Sequence, residues 1–205
     1  VSTQSTGPST MSKSLAGTQT EKHLLMAFAG ESQAFQRYTL FAAQARKEGY
    51  NYLANIFEDN AKMEQVHAAR FFSFLEGRPL EITATFPAGK VGTTLENVKG
   101  SVAGETEEAT EVYPHFAKVA KEEGFPLVAR TFEQIAEIEK HHAQRFKNIQ
   151  KLLENEQVYE MSEDTLWICM KCGHIHKGAK AMKACVVCLE INPFMPLNFD
   201  WYKVE

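Results

Sequence analysis

The sequence predicts an all-α four-helix bundle followed by a small module built on four cysteines. Two observations predict the bundle: apolar residues recur at helical spacing through four long segments, and the motif Glu-x-x-His occurs twice, at residues 64–67 and 139–142. The third observation is that all four cysteines lie in two Cys-x-x-Cys pairs towards the end of the chain. A chain of 205 residues is long enough to bury one substantial core and to carry such a module.

The first half of the predicted bundle consists of two helices. The first covers about residues 20–48 and has Glu31 in the middle of its apolar stripe. The second covers about residues 52–76 and carries Glu64 and His67 one turn apart on its stripe. Each stripe is therefore apolar at its ends and polar in its middle.

The second half follows a predicted crossover loop. Residues 77–93 contain two prolines and three glycines, which suit a long loop better than a helix. The third helix covers about residues 95–123, with Glu105 on its stripe. The fourth helix starts with a proline, a residue well placed in a first helical turn, and carries Glu139 and His142.

The two halves form an internal repeat with a slip of one residue. Glu31 matches Glu105 at an offset of 74, whereas Tyr38 matches Tyr113 at an offset of 75, as do the two Glu-x-x-His motifs. At about 100° per residue, a regular helix would turn Tyr113 some 80° away from Glu105. We therefore predict a single-turn π-bulge between them, which also presents Glu108, a residue without a glutamate counterpart in the first half.

Seven ligand-type side chains thus lie in the middle of four helical stripes. They are Glu31, Glu64, His67, Glu105, Glu108, Glu139 and His142. A single buried Glu or His is usually a hydrogen-bonded structural group, but five carboxylates converging in an apolar interior cost much free energy without compensating positive charge. The set indicates a two-metal carboxylate site, and its donors suit iron or manganese better than copper. Tyr38 and Tyr113 are either ordinary core aromatics or hydrogen-bond donors to the ligand carboxylates.

The four cysteines predict a second metal site. Cys169, Cys172, Cys185 and Cys188 form two pairs separated by 12 residues. Paired Cys-x-x-Cys motifs favour a tetrahedral four-thiolate site over disulfides, and the spacing fits iron and zinc equally well.

The composition of the chain indicates which partners and which cellular location to expect. A net charge of −4 and a pI near 6.0 give no reason to expect nucleic acid or an anionic membrane as a partner. No apolar run approaches the length of a membrane span and no signal peptide opens the chain, so we expect a cytoplasmic protein. We also expect a disordered extension at residues 1–12, the bundle at residues 13–155 and the cysteine module at residues 163–205.

These motifs together resemble the rubrerythrin family. The resemblance runs from Met11 to the C-terminus and rests on residues 27–34, 64–67, 74–77, 86–89, 103–108, 113–114 and 139–142 and on the two cysteine pairs. It implies a ferritin-like diiron domain followed by a rubredoxin-like Fe(Cys)4 domain. It further implies a peroxidase that reduces hydrogen peroxide to water, as oxidative-stress defence in an anaerobe or microaerophile.

The resemblance also implies roles and partners. The seven Glu and His residues would be diiron ligands, with Glu64 and Glu139 bridging, an oxo bridge when oxidised, and an exchange of Glu108 for His67 on reduction. Independently of the resemblance, we expect Tyr38 and Tyr113 to assist in catalysis by managing protons. The cysteines would hold one iron, which zinc can replace in recombinant protein. Electrons would come from a rubredoxin or similar donor and its NAD(P)H reductase, since the chain lacks a Gly-x-Gly-x-x-Gly fingerprint. Family members usually form head-to-tail homodimers.

Two alternative functions remain compatible with the sequence. A ferritin-like protein that oxidises and stores iron would use the same bundle, and a structural zinc ribbon could accompany an oxygen-scavenging bundle. A redox-competent Fe(Cys)4 centre favours turnover over storage. The residue after Cys185 is valine, where the family usually has proline.

Overall fold

The computed structural model describes residues 13–204. Its elements are α1 (Gln19–Lys47), α2 (Asn51–Phe72), α3 (Thr94–Glu107), a π-helical segment (Glu108–Val112), α4 (Tyr113–Glu122), α5 (Pro126–Glu154), β1 (Leu166–Cys169), β2 (Ile175–Lys177) and β3 (Phe194–Pro196). The predicted four-helix bundle is confirmed, with α3, the π segment and α4 together forming its third helix. The extension predicted at residues 1–12 lies outside the described residues.

Local sequence explains where the helices begin. The Thr18 side chain accepts a hydrogen bond from the Glu21 N–H at the start of α1. At the start of α3, Thr93 and Glu96 form a capping box in which each side chain binds the backbone N–H of the other. Pro126 occupies the first turn of α5, as the sequence predicts.

The second helix ends earlier than the sequence predicts, at Phe72 rather than near residue 76. The Ser73 hydroxyl donates to the Arg70 carbonyl, and the next two N–H groups, of Phe74 and Leu75, each bond to a carbonyl three residues back. These tighter turns replace the last predicted helical turn. The predicted crossover loop is confirmed, since residues 73–93 contain no helix or strand.

The predicted π-bulge is confirmed. Residues Glu108–Val112 form a π-helical segment, and the Tyr113 N–H donates to the Glu108 carbonyl five residues earlier. The extra residue is absorbed in one wide turn, so α4 continues with Tyr113 facing the bundle interior, where it is 1% exposed.

Two apolar clusters enclose the middle of the bundle. One contains Tyr38, Phe57 and Phe146, and the other contains Phe71 and Phe132 among its buried residues. Along α1, α2 and α5 the ligand-type residues lie between these clusters. The bundle therefore places a polar layer between two layers of packed apolar side chains.

The C-terminal module is a three-stranded antiparallel sheet with strand order β2-β1-β3. Its small core packs around Trp167 and Phe194, both fully buried, and the Trp167 indole N–H donates to the Gly178 carbonyl at 2.9 Å. Buried Trp in so small a module supplies apolar area that few other residues could.

The module packs on the end of the bundle where α2 begins. The Tyr159 hydroxyl donates to the Gly49 carbonyl at 2.7 Å and accepts from the Asn51 N–H at 3.1 Å. The Tyr52 hydroxyl donates to the Val158 carbonyl at 2.7 Å. Among residues 13–204, no helix is long and apolar enough to cross a membrane.

Candidate metal centres

Six of the seven predicted ligand residues come together in the polar layer of the bundle. They are Glu31 from α1, Glu64 and His67 from α2, Glu105 from α3, and Glu139 and His142 from α5. All six are buried, and the most exposed of them, His67, is only 7% exposed. Helical periodicity brings each Glu-x-x-His pair to one face, three residues apart.

The six residues form two overlapping groups of four. Glu31 and His67 complete one group, Glu105 and His142 complete the other, and Glu64 and Glu139 belong to both. Within each group the potential ligand atoms lie within 4.8 Å of one another. This is the arrangement of two adjacent metal positions that share two carboxylates.

The shared carboxylates turn one oxygen towards each histidine. His67 Nδ1 lies 3.0 Å from Glu64 Oε2 and 2.9 Å from Glu139 Oε1. His142 Nδ1 lies 3.1 Å from Glu64 Oε1 and 2.7 Å from Glu139 Oε2. Because opposite oxygens of the same carboxylate face opposite histidines, each carboxylate is oriented to bridge two positions.

The inward atoms of the cluster are ones that a metal would satisfy. Although the contacts are short, both Nδ1 atoms and both oxygens of Glu64 and Glu139 lack hydrogen bonds of good geometry, as does one oxygen each of Glu31 and Glu105. Buried polar atoms without partners cost free energy. The residues therefore fit a pair of bound cations.

Without cations, the cluster holds protons instead. Burial lowers the pKa of His142, but the adjacent Glu139 and Glu64 carboxylates outweigh burial and raise it to about 10. The same balance raises the pKa of His67 to about 9. Burial and neighbouring carboxylates raise the pKa values of Glu31 and Glu105 well above their usual range. Metal binding must therefore displace protons.

The two tyrosines of the repeat contact ligand-type glutamates, and they do so crosswise. The Tyr38 hydroxyl on α1 donates to Glu105 of the third helix, and the Tyr113 hydroxyl on α4 donates to Glu31 of α1. Burial and the nearby carboxylates raise the pKa values of both phenols well above the usual range, so both remain donors. Each phenol fixes the orientation of one unshared glutamate.

Glu108 lies outside both groups. Its side chain is partly exposed, and one oxygen lies 4.0 Å from where a Cβ on Gly30 would be. Burial and the charges of Glu139 and Glu64 raise the pKa of Glu108 to about 8, against the opposing charge of Arg37. The group that contains Glu31 is thus completed by His67 and not by Glu108. Ligation of a metal by Glu108 stays a prediction.

A cavity of about 800 Å³ leads to Glu108 from the outside. It lies between α1, the crossover loop and the third helix, and mainly apolar side chains line it, among them Met26, Leu40, Phe41, Phe86, Val91, Val112 and Phe116. Arg37, Tyr38 and Tyr113 also reach it. The sequence gives no signal for Phe86 or Arg37 as neighbours of the site, because only tertiary packing brings the loop over α1.

The four cysteines form the second centre. Cys169 Sγ lies 3.7 Å from Cys188 Sγ and Cys172 Sγ lies 3.6 Å from Cys185 Sγ. None is in a disulfide, and all four sulfur atoms lie within 4.8 Å of one another. A tetrahedral centre with metal–sulfur bonds of about 2.3 Å needs sulfur atoms roughly 3.8 Å apart, so the spacing fits one bound metal. Cys172 is exposed, whereas Cys169 and Cys185 are buried.

Comparison with known proteins agrees with this geometry. A sequence model of the rubrerythrin family matches residues 22–150. The chain is 52% identical to a rubrerythrin of Porphyromonas gingivalis over 178 residues, which cover 87% of this chain and 89% of the relative. It is 46% identical to a rubrerythrin of Nitratidesulfovibrio vulgaris over 190 residues, covering 92% of this chain and all of the relative.

A solved structure supports the same assignment. Nigerythrin in a mixed-valence state superposes with a TM-score of 0.60 at 26% identity, covering 96% of this chain and 100% of that one. The bundle is ferritin-like, and its carboxylate–histidine cluster fits a diiron cofactor. The four-cysteine cluster of the C-terminal module fits an Fe(Cys)4 cofactor. With 52% identity to a rubrerythrin over 87% of its length, the chain belongs to the rubrerythrin family.

Proposed function

We propose that the chain is a non-haem diiron peroxidase that reduces hydrogen peroxide to water, with electrons relayed through its four-cysteine iron centre. The observation that supports this most is the pair of carboxylates, Glu64 and Glu139, each oriented to bridge two positions in a chain that also carries a separate thiolate site. Each peroxide takes up two electrons and two protons and yields two water molecules.

The proposed ligands are the six clustered residues and Glu108, with Glu64 and Glu139 bridging. When bound, two ferrous ions supply the two electrons that cleave the O–O bond. The cavity admits peroxide to Glu108, whose carboxyl group lies between solvent and the cluster and is placed to pass protons inward. His67 and Glu108 are the proposed alternative ligands at one position.

Two tyrosines complete the proposed machinery. Tyr38 and Tyr113 hold Glu105 and Glu31 through their hydroxyl groups. A carboxylate that accepts a hydrogen bond from a phenol keeps its orientation when the charge of the metal site changes. The apolar clusters on either side exclude water from all but the cavity side of the site.

The electron supply is proposed to come from outside the chain. Membership of the rubrerythrin family supports this proposal. We infer a rubredoxin or similar donor, reduced by its own NAD(P)H reductase, and a head-to-tail homodimer. In such a dimer the thiolate centre of one chain would lie near the diiron site of the other. We place the protein in the cytoplasm of an anaerobe or microaerophile, with the bundle as residues 13–155 and the cysteine module as residues 163–205.

A rapid-mixing experiment distinguishes a peroxidase from an iron-storage protein. Anaerobically reduced protein should oxidise much faster with hydrogen peroxide than with dioxygen, as followed by the visible spectrum. Iron analysis should find no more than about three irons per chain, since the proposed sites hold a pair and a single ion. Uptake of many irons per chain would assign the protein to storage instead.

A cysteine variant tests the relay. Protein expressed with adequate iron should be red from ferric–thiolate absorption, and Cys172→Ser should abolish the colour while circular dichroism shows an unchanged helical content. The variant should still react once with peroxide when reduced chemically, but it should fail to turn over with the protein donor. A zinc-loaded module that sustains turnover with that donor would contradict the relay.

A further inference from the structure

Arg145 is a buried cation with no carboxylate partner. Its side chain on α5 is only 9% exposed, and among residues 13–204 it makes no ion pair within 4.0 Å. Its Nη1 donates to Asn60 Oδ1 at 3.1 Å, and its Nε has no hydrogen-bond partner. The ring of Tyr202 covers the guanidinium, with its centroid 5.8 Å away. A buried charge is costly unless an opposite charge compensates it.

The carboxylate cluster lies next to Arg145 along the bundle. Arg145 follows His142 by three residues on α5, and Asn60 precedes Glu64 by four residues on α2. One helical turn, about 5.4 Å along each axis, therefore separates the Arg145–Asn60 pair from the cluster. The pair lies on the side where α2 begins and α5 ends, which is the side that packs against the cysteine module.

We propose that Arg145, held inward by Asn60, places a fixed positive charge beside the diiron site and makes that site easier to reduce. The inference rests on the proposed function, because it concerns the redox state of the bound iron. Each added electron makes the cluster more negative, and a nearby fixed cation stabilises that state. Because the guanidinium is buried, water and salt screen it little.

The repeat supplies a matched control. Arg70 follows His67 by three residues, as Arg145 follows His142. Arg70 is exposed, however, and its guanidinium lies over the Phe74 ring at 4.3 Å. Solvent screens its charge, so removing it should leave the diiron site unchanged.

Two equilibrium measurements test the proposal in Arg145→Gln, Arg145→Lys and Arg70→Gln. Spectroelectrochemical titration should give Arg145→Gln a lower diiron midpoint potential, with the Fe(Cys)4 potential moving less. The metal-free variant should bind Mn²⁺ more tightly, by roughly a hundredfold, the order expected for a single and a double positive charge about 10 Å apart at an effective dielectric constant near 20. Arg145→Lys should restore wild-type values, and Arg70→Gln should match wild type in both measurements.

The direction of the affinity change separates charge from damage. A variant that merely disturbed the packing would bind Mn²⁺ more weakly, whereas loss of a positive charge strengthens binding of a cation. Weaker binding, or a potential that moves no more than in Arg70→Gln, would overturn the proposal. If Arg145→Gln does not fold, Asn60→Leu frees the guanidinium and should shift both quantities in the same direction. Neither measurement needs peroxide, so a wild-type protein that binds the iron pair but fails to turn over would contradict only the proposed function.

Discussion

The first and second halves of the bundle place the same types of residue at the metal site, but only the second half does so on a helix that contains a π segment. In the first half, α1 is an unbroken helix of 29 residues that carries Glu31 and Tyr38. In the second half, the equivalent helix is interrupted by the π segment Glu108–Val112 between Glu105 and Tyr113. The ligand sets are nearly symmetric, but their surroundings are not.

The difference shows how one inserted residue produces a specialised side in a duplicated structure. The π segment restores the facing of Tyr113 and adds Glu108 at the cavity. It leaves the shared carboxylates, Glu64 and Glu139, in equivalent positions. Asymmetry is thus confined to one face, while the centre keeps the symmetry that two adjacent metals require.

The largest effect is expected at a carboxylate that belongs to both metal groups. Glu139→Gln should lose both bundle irons, because Glu139 belongs to both groups, whereas Glu31→Gln should lose about one. Iron analysis after anaerobic loading measures this, with the single Fe(Cys)4 iron counted separately from its red colour. Glu137→Gln, at an exposed glutamate on the same helix, is the control. Retention of both bundle irons by Glu139→Gln would show that the carboxylate does not bridge.

Removing the asymmetry should have the next largest effect. Deletion of Thr110 should convert the π segment to a regular α-helix, in which Tyr113 lies seven positions from Glu105, as Tyr38 does from Glu31, and in which Glu108 is displaced from the cavity. We expect kcat/KM for peroxide to fall about 100-fold, the order seen when reacting groups are misplaced by about 1 Å. Thermal melting should change less than activity does. Thr110→Ala keeps the helix length and should behave like wild type, and equal activity in the deletion variant would refute a role for the bulge.

The crossed tyrosines allow a direct comparison of the halves. Tyr38→Phe and Tyr113→Phe each remove one hydroxyl that donates to a glutamate of the other half. We expect each variant to lose about 10-fold in iron affinity or peroxide turnover, the lower end of the range for groups that orient a ligand. Phe41→Leu, a change at an aromatic neighbour of Tyr38 that carries no hydroxyl, is the control for packing. Loss of affinity in only one tyrosine variant would mean that the two halves contribute unequally.

The smallest effect is expected in the pH dependence of the metal-free protein. The pKa of Glu108 is about 8 in the folded chain and near 4.5 in the unfolded chain, so stability should fall as pH rises through this range. The raised pKa of His67, about 9, contributes stability that is full below about pH 6.5 and is lost as pH rises through 9. Melting temperature should therefore decrease from pH 5 to pH 9, by about 2–4 °C for each kcal/mol lost.

Iron loading and one variant check the cause of that decrease. Bound cations keep the carboxylates ionised at every pH in the range, so the loaded protein should show a much flatter profile. Glu108→Gln should remove part of the decrease in the metal-free protein, and the exposed Glu107→Gln should not. A metal-free profile that rises from pH 5 to pH 9 would contradict the charge balance described for the site.

Periodicity and spacing in the sequence were sufficient for the helices and for most of the site. Helical stripes located the elements to within a few residues, and the unequal offsets of the repeat located the π segment. Both signals are local, because the rotation per residue is fixed. The one clear error was the end of α2, where Phe74 and Leu75 continue the apolar pattern but hydrogen-bond in tighter turns.

Other features depend on tertiary packing and have no local signal. The sequence contains Arg70 and Arg145 at equivalent places, yet only the fold exposes one and buries the other. The cavity likewise depends on how the crossover loop returns over α1, with Phe86 3.7 Å from where a Cβ on Gly30 would be. Local patterns describe a helix face, but they do not specify what packs on it.

The tyrosine contacts and the metal groups both connect the two helical hairpins, α1–α2 and α3–α5. Each metal group takes residues from both helical hairpins, so neither hairpin holds a complete group. Nothing in these contacts requires the two hairpins to belong to one molecule. The crossover loop, residues 73–93, is long enough to let them meet within one chain. A loop too short to span the bundle would make the same contacts form between two chains, by exchange of hairpins. With the loop it has, this chain brings both hairpins together by itself and completes both metal groups.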